Sequence, residues 1–168
     1  TGNVFVGRAG VIFCNTTPLI ALAGIGQLDL LPRVVGEIHV AEAVVVECAA
    51  GGLIRVPDLR ALPWIQVVAV NEATLPGLLL SLDRGERDTL ALAKQLGAER
   101  VIIDERIGRN MAEWLGLAVV GTLGVLLKAK AQGLIPSFGQ AVARMQANGI
   151  YYHPALVAKL CRLAGESS

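Results

Sequence analysis

Asn15 follows the apolar run VIFC, Asp104 and Glu105 close the run VIID, and Gly121 and Thr122 follow LAVV. Glu47 is embedded in AVVVEC and Asp88 in GERDTLALA, each at or near an apolar helix face. A carboxylate in such surroundings is costly unless it is paired or ligates a metal. Several together repel one another and invite a cation. An all-oxygen set suits Mg2+ or Mn2+, hard ions that keep water in their shell. The chemistry such a site supports is metal-assisted hydrolysis of a phosphodiester, the ion acidifying water and shielding the phosphate charge.

Plainer roles compete at each position. Asp83, with Glu86 three residues on, reads as a capping-box start. Glu105 reads as a solvated turn residue, and Thr17 and Thr122 as helix N-caps. Glu47 is equally able to pair with a core arginine, and Asn15 to hold a turn through its own backbone. Arg84, Arg87, Arg106 and Arg109 stand near the acids in sequence and read either as phosphate contacts or as solvated helix faces. What favours chemistry is the shared location of the acids, at or near the carboxyl ends of strands.

The elements that must position them alternate. Strands are expected at 10–14, 37–40, 65–70, 100–104 and 117–120. Their continuous apolar character suits strands covered on both faces. Helices are expected from Thr17-Pro18 onward, then at 28–35, 43–50, 83–97, 106–116, 122–132, 137–148 and 154–164, with Gly97 and Gly133 as stops. This alternation predicts an α/β fold with a mostly parallel sheet. Ligands of such sheets bind beyond the carboxyl ends of the strands, where the strand order changes direction.

The chain of 168 residues is long enough for one domain with one core, expected to span 1–168, its helices at about 137–164 packing on it or forming an oligomer surface. Hydrophobic residues make up 54% and charged residues 17%, which excludes a disordered chain. A net charge of +1 does not by itself point to nucleic acid, so such a partner would need a local basic patch. Three Phe, two Trp and two Tyr leave little surface for stacking bases, so recognition by shape and backbone is expected. No apolar run approaches the roughly 18 residues of a membrane span. TGNVFVGRAG lacks the pattern of a signal peptide. Cys14, Cys48 and Cys161, widely spaced among apolar neighbours, suit reduced thiols in a cytoplasmic protein. There is no GxxxxGK[ST] loop, Gly24-Ile25-Gly26 is not a dinucleotide fingerprint, and His39 and His153 stand alone, which argues against zinc.

The ordered segments NTTPLIALAGIGQLDLLPRV, VAEAVVVEC, LDRGERDTLALAKQLGA, VIIDERIGRNMAEWLGL and VVGTLGVLLKAKAQGLI resemble a PIN-domain group of prokaryotic predicted nucleic-acid-binding proteins, related to VapC-type toxins. The similarity runs over about residues 11–150. The resemblance implies a three-layer α/β/α sandwich and a divalent-metal ribonuclease site. Its acidic positions fall on Asn15, Glu47, Asp88 and Asp104, with Glu47, Asp88 and Asp104 as metal ligands. Thr122 matches a polar position beside that cluster and Arg109 a recurring basic one. With Arg87 and Arg106, these two are the expected substrate contacts. Relatives often act as toxins paired with a small antitoxin protein and often form homodimers. The implied function is therefore a Mg2+/Mn2+-dependent endoribonuclease acting on RNA.

The chain departs from that pattern in having Asn15 where an aspartate is usual, and a shorter acid, Asp88, where glutamate is common. The amide removes a charge whose attraction to a neighbouring cation is worth on the order of 4 kcal/mol at an effective dielectric of ~20. A catalytically weak PIN-fold module that binds RNA or protein is the alternative. An aspartyl-phosphate phosphohydrolase would need an aspartate nucleophile after the first strand, and Asn15 stands there.

Overall fold

A computed structural model describes residues 10–72 and 77–167. The N-terminal residues 1–9, which carry most of the stretch read above for a signal peptide, lie outside the described residues, as do 73–76. In chain order the elements are β1 (Ile12–Cys14), α1 (Thr16–Gly24), α2 (Leu30–Val34), β2 (Ile38–Ala41), α3 (Glu42–Ala49), β3 (Ile65–Val68), α4 (Arg84–Gln95), β4 (Arg100–Ile102), α5 (Arg106–Trp114), β5 (Val119–Val120), α6 (Thr122–Ala131), α7 (Phe138–Ala147) and α8 (Pro154–Leu163).

The five strands form one all-parallel sheet in the order β3-β2-β1-β4-β5, flanked by helices as an α/β/α sandwich. Phe13 pairs with His39 on one side and Val101 on the other, and Cys14 pairs with Ile102. The central strand is fully covered: Phe13 and Cys14 have no exposed surface. Burying a side chain as large as Phe13 contributes about 1.5–3 kcal/mol, so an unbroken apolar run is what a central strand needs. The chain builds outward from β1 through β2 to β3, then crosses back to place β4 and β5 on the other side. The order therefore reverses between β1 and β4, and the carboxyl ends of these two strands define the crevice of an open α/β sheet.

Local boundaries differ from expectation where side chains intervene. α1 begins at Thr16, with Asn15 rather than Thr17 in the cap position, and no side chain caps it. Thr122 is likewise inside α6, and Gly121 occupies the cap position. The expected strand at 65–70 ends at Val68, and that at 100–104 ends at Ile102. Ile103 still donates to the Val120 carbonyl at 3.0 Å before Asp104 turns away from the ladder toward Thr122. Asp83 does cap α4, its Oδ1 accepting from the Glu86 amide at 2.9 Å. No described helix is long and apolar enough to cross a membrane.

α7 buries Phe138, Val142 and Met145 and is tied to the end of α1: Arg144 donates to the Ile25 carbonyl and Asn148 to that of Gly24, both at 2.9 Å. Glu166, just past α8, closes the C-terminal pair. Its carboxylate accepts from the amides of Phe138 (2.7 Å) and Gly139 (3.0 Å) and from the Ser137 hydroxyl (2.8 Å), with Lys130 Nζ 3.5 Å away. A carboxylate against the free amides of a helix start is favoured by both hydrogen bonding and the helix dipole. The Gly139 amide, followed by the Ser137 hydroxyl and the Phe138 amide, pulls the Glu166 pKa down to about 2 from 4.5. The folded state therefore holds this proton more weakly than the unfolded chain. The stability is complete above about pH 4.5 and is lost as the pH falls toward 2. Glu166→Ala is expected to lower the urea-unfolding free energy by about 1–2 kcal/mol at pH 7. The gap to wild type should narrow as the pH is lowered from 4.5.

Candidate functional site

The polar residues that follow β1, β4 and β5 gather along one edge of the sheet with the starts of α4 and α5. Asn15 leaves β1 with its amide donating to the Ile102 carbonyl at 2.9 Å, which locks the ends of β1 and β4 together. The next residue, Thr16, donates its hydroxyl to Glu47 Oε2 in α3. The other oxygen of Glu47 accepts from the Gly85 amide at 2.9 Å. Glu47 is thus held from both sides, by α1 and by α4, and is not paired with an arginine among the described residues. Gly85 is required by closeness: a Cβ there would lie 2.6 Å from Glu47 Oε1.

Asp104 is fixed by α6. Its Oδ1 accepts from the Thr122 amide at 2.7 Å and its Oδ2 from the Thr122 hydroxyl at 2.6 Å. Two bonds leave half of the lone-pair sites of a carboxylate open. Gly121 keeps the approach clear, since a Cβ there would meet Arg109 Nη1 at 2.7 Å and Asp104 Oδ1 at 2.9 Å. Arg109 itself donates to the Ile103 carbonyl at 3.3 Å. The phenol of Tyr152 lies against the same group: burial pushes its pKa well up, and the charge of Asp104 adds to the effect.

A third group lies between α4 and α5. Asp83, Glu86 and Glu105 each offer a carboxylate oxygen, and these three oxygens lie within 4.8 Å of one another. Glu86 is the buried member, 3% exposed, and its Oε1 has no hydrogen-bond partner. Burial, a hydrogen bond to the Glu105 carboxyl, and then the charges of Asp83, Glu105 and Glu47 raise its pKa from 4.5 to about 8. Asn15 Oδ1 is also buried without a partner. Orphaned oxygens beside crowded carboxylates are what a hard divalent cation would satisfy, and the donor set, all oxygen, fits Mg2+ or Mn2+.

A family model described as a PIN domain matches residues 11–166. The chain belongs to the PIN-domain family. No curated protein and no solved structure matches it. The PIN fold is a nuclease-type fold, and the carboxylate cluster at its sheet edge could bind a metal ion.

The expected site residues divide in this PIN domain. Asn15, Glu47 and Asp104 stand on the edge described above. Asp88 is also buried, at 2%, but it is engaged by arginines: Arg87 Nε donates to its Oδ1 at 3.0 Å, and Arg84 Nε is 3.9 Å from its Oδ2. It is not a member of the three-carboxylate group, whose α4 residue is Glu86. Two residues apart on a helix means about 200° of rotation, so Glu86 and Asp88 leave α4 in nearly opposite directions. Arg87 is correspondingly spent on Asp88. Thr122, expected as a substrate contact, is fully buried and donates its hydroxyl to Asp104. Arg106 and Arg109 line an open cavity of about 740 Å3 that also touches Asp104 and Glu105. Sequence reasoning placed Asp83, Glu86 and Glu105 as capping and turn residues. The missed signal was Gly108, where a Cβ would clash with Ile103 Cδ1 at 2.6 Å and sit 3.6 Å from Glu86 Cδ.

Because folding raises the Glu86 pKa, the folded state binds this proton more tightly than the unfolded chain. Its contribution is complete below about pH 4.5 and is lost as the pH rises to about 8. In EDTA the thermal midpoint should therefore fall across that window more steeply in wild type than in Glu86→Gln. Equal slopes would show that Glu86 is not the group that titrates.

Proposed function

We propose that this PIN domain is a Mg2+/Mn2+-dependent endoribonuclease that hydrolyses phosphodiester bonds in RNA. The observation that carries the reading is the buried Glu86 carboxyl, crowded by Asp83 and Glu105 at the carboxyl edge of a nuclease-type fold. Glu86, Glu105 and Asp83 would hold the ion together with Asp104, and Glu47 and the Asn15 amide oxygen complete the polar edge. In this set Glu86 replaces Asp88, whose carboxylate is already occupied by two arginines. A divalent ion held there supplies positive charge beside the scissile phosphate and makes water more acidic.

The chain's own residues do the rest. Thr122 and Thr16 fix the rotamers of Asp104 and Glu47, so neither carboxylate has to reorganise when substrate arrives. Arg109 and Arg106, on one side of α5, meet the phosphates on either side of the cleaved bond. A neutral Glu86 in the metal-free protein is a proton donor; a cation would drive that proton off. The buried free thiols of Cys14, Cys48 and Cys161 suit a reducing, cytoplasmic compartment. A second copy of the chain and a small antitoxin protein are the partners this reading carries with it, and toxicity follows from uncontrolled RNA cleavage.

Asn15 favours a second reading, a PIN-fold module that binds RNA or protein with little or no catalysis. Mn2+ titration calorimetry with cleavage of a labelled RNA separates the two. The nuclease should bind Mn2+, and both Glu86→Gln and Asp104→Asn should lose metal binding and at least a hundredfold in cleavage. Asp88→Asn should retain metal binding. Asn15→Asp, which restores a charge, should tighten Mn2+ binding tenfold or more. A wild-type protein that neither binds Mn2+ at millimolar concentration nor cleaves RNA leaves the binding module standing.

A further inference from the structure

Two polar groups on α4 are buried without a hydrogen-bond partner, and they stand one turn apart. Glu86 Oε1 is one. The hydroxyl of Thr89 is the other: the residue has no exposed surface, and its Oγ1 has no partner among the described residues. A threonine inside a helix commonly returns its hydroxyl to a carbonyl three or four residues back. Thr89 does not, although apolar Leu90, Ala91, Leu92 and Ala93 fill the rest of this buried stretch. A buried hydroxyl left unpaired is destabilising and calls for an explanation.

Helix geometry gives its direction. The Gly85 amide donates to Glu47, and a Cβ on Gly108 of α5 would lie 3.6 Å from Glu86 Cδ. Thr89 is three residues after Glu86 and four after Gly85. At about 100° per residue, its side chain leaves α4 between those two directions. The Cα–Cβ bond of a helical residue leans toward the helix start, so Thr89 leans back to the turn that carries Glu86. Two other carboxylates of this edge show what a threonine does there. Glu47 accepts from the Thr16 hydroxyl, and Asp104 accepts from that of Thr122 at 2.6 Å. Glu86 has a threonine one turn away and no bond to it.

We infer that Thr89 is the positioning residue of Glu86: its hydroxyl donates to the Glu86 carboxylate when Glu86 holds a divalent cation. The inference rests on the metal-dependent reading of the site, but not on turnover. A carboxylate has about four lone-pair sites, so one that ligates a cation still accepts a hydrogen bond. A hydrogen bond to a charged acceptor is roughly twice as strong as one between neutral groups. The unpaired hydroxyl thus weakens the free protein and strengthens the loaded one. Partners that orient a metal ligand typically change metal affinity by about 10–100-fold.

The test compares Thr89→Val, which keeps the shape and removes the hydroxyl, with Thr89→Ser, which keeps the hydroxyl and removes a methyl. Thermal midpoints in EDTA and Mn2+ affinity by calorimetry are measured for both and for wild type, with Mn2+ cleavage of a labelled RNA in parallel. Thr89→Val should raise the EDTA midpoint by roughly 2–4 °C, because an unpaired hydroxyl is gone. The same variant should bind Mn2+ about tenfold more weakly. Thr89→Ser should do the reverse, lowering the midpoint through loss of a buried methyl while keeping wild-type Mn2+ affinity. A purely structural role would move midpoint and affinity in the same direction. Unchanged Mn2+ affinity in Thr89→Val overturns the assignment, and the nuclease reading survives if wild type binds and cleaves. An EDTA midpoint that does not rise in Thr89→Val, or equal losses of affinity in the two variants, also overturns it. Wild-type protein that binds no Mn2+ at millimolar concentration overturns it together with the metal site. Affinity that depends on the hydroxyl without any RNA cleavage supports Thr89 and sinks the nuclease.

Discussion

Like charges at the carboxyl edge of a parallel sheet repel, and the edge between β1 and β4 concentrates them. Glu47, Asp83, Glu86, Asp104 and Glu105 come from α3, from the start of α4 and from the turn after β4, and Glu86 feels Asp83, Glu105 and Glu47 together. The fold tolerates this in three ways. Glu47 and Asp104 each accept two hydrogen bonds, from a threonine hydroxyl and a backbone amide, which fix their orientation. Asp83 spends its charge on the first turn of α4. Glu86, buried and without such donors, instead holds its proton. One edge thus carries carboxylates held by donors beside one that holds its own proton, and that proton is what a divalent cation would displace.

Close backbone approach is the second requirement of this arrangement. Gly85, Gly108 and Gly121 each sit where a Cβ would press on a polar group of the edge or on its support: Glu47 for Gly85, Ile103 and Glu86 for Gly108, Arg109 and Asp104 for Gly121. The carboxylates therefore lie against bare backbone on α4, α5 and the start of α6. The side chains that remain are those with a hydrogen-bonding task. Thr16 and Thr122 are first residues of their helices, where a hydroxyl that does not cap its own helix is free to reach a neighbouring carboxylate.

Much of this was legible in the sequence. Apolar runs and their turn residues located all five strands, and the alternation with helices gave the parallel sheet and hence the edge at which to look. Asn15, Glu47 and Asp104 were singled out from their strand-end or apolar-helix setting, and the fold sets them along that edge. Which of Glu86 and Asp88 joins Asp83 and Glu105 was not legible, because both acids are buried on α4 and the difference is which neighbour each meets. Asp88 meets Arg87 and Arg84 of its own helix, Glu86 meets Asp83 and Glu105, and the arrival of Glu105 beside the start of α4 is a tertiary contact. A capping-box reading of Asp83 and Glu86 was correct for Asp83 and drew attention from its partner.

The same geometry bears on Asn15. An amide in place of a carboxylate after β1 removes negative charge from the end of the central strand, where its Oδ1 stays buried without a partner. Asp83 and Glu105 crowd Glu86 at the starts of α4 and α5. Three carboxylates thus converge at those two helix starts, while the end of β1 presents a neutral amide oxygen. Glu105 belongs both to that group and to the lining of the cavity that Arg106 and Arg109 share, so the acidic group and the basic face of α5 adjoin through one residue. The orphaned amide oxygen at the end of β1 and the converging acids at the helix starts are the two places along this edge where a cation would find unpaired oxygens.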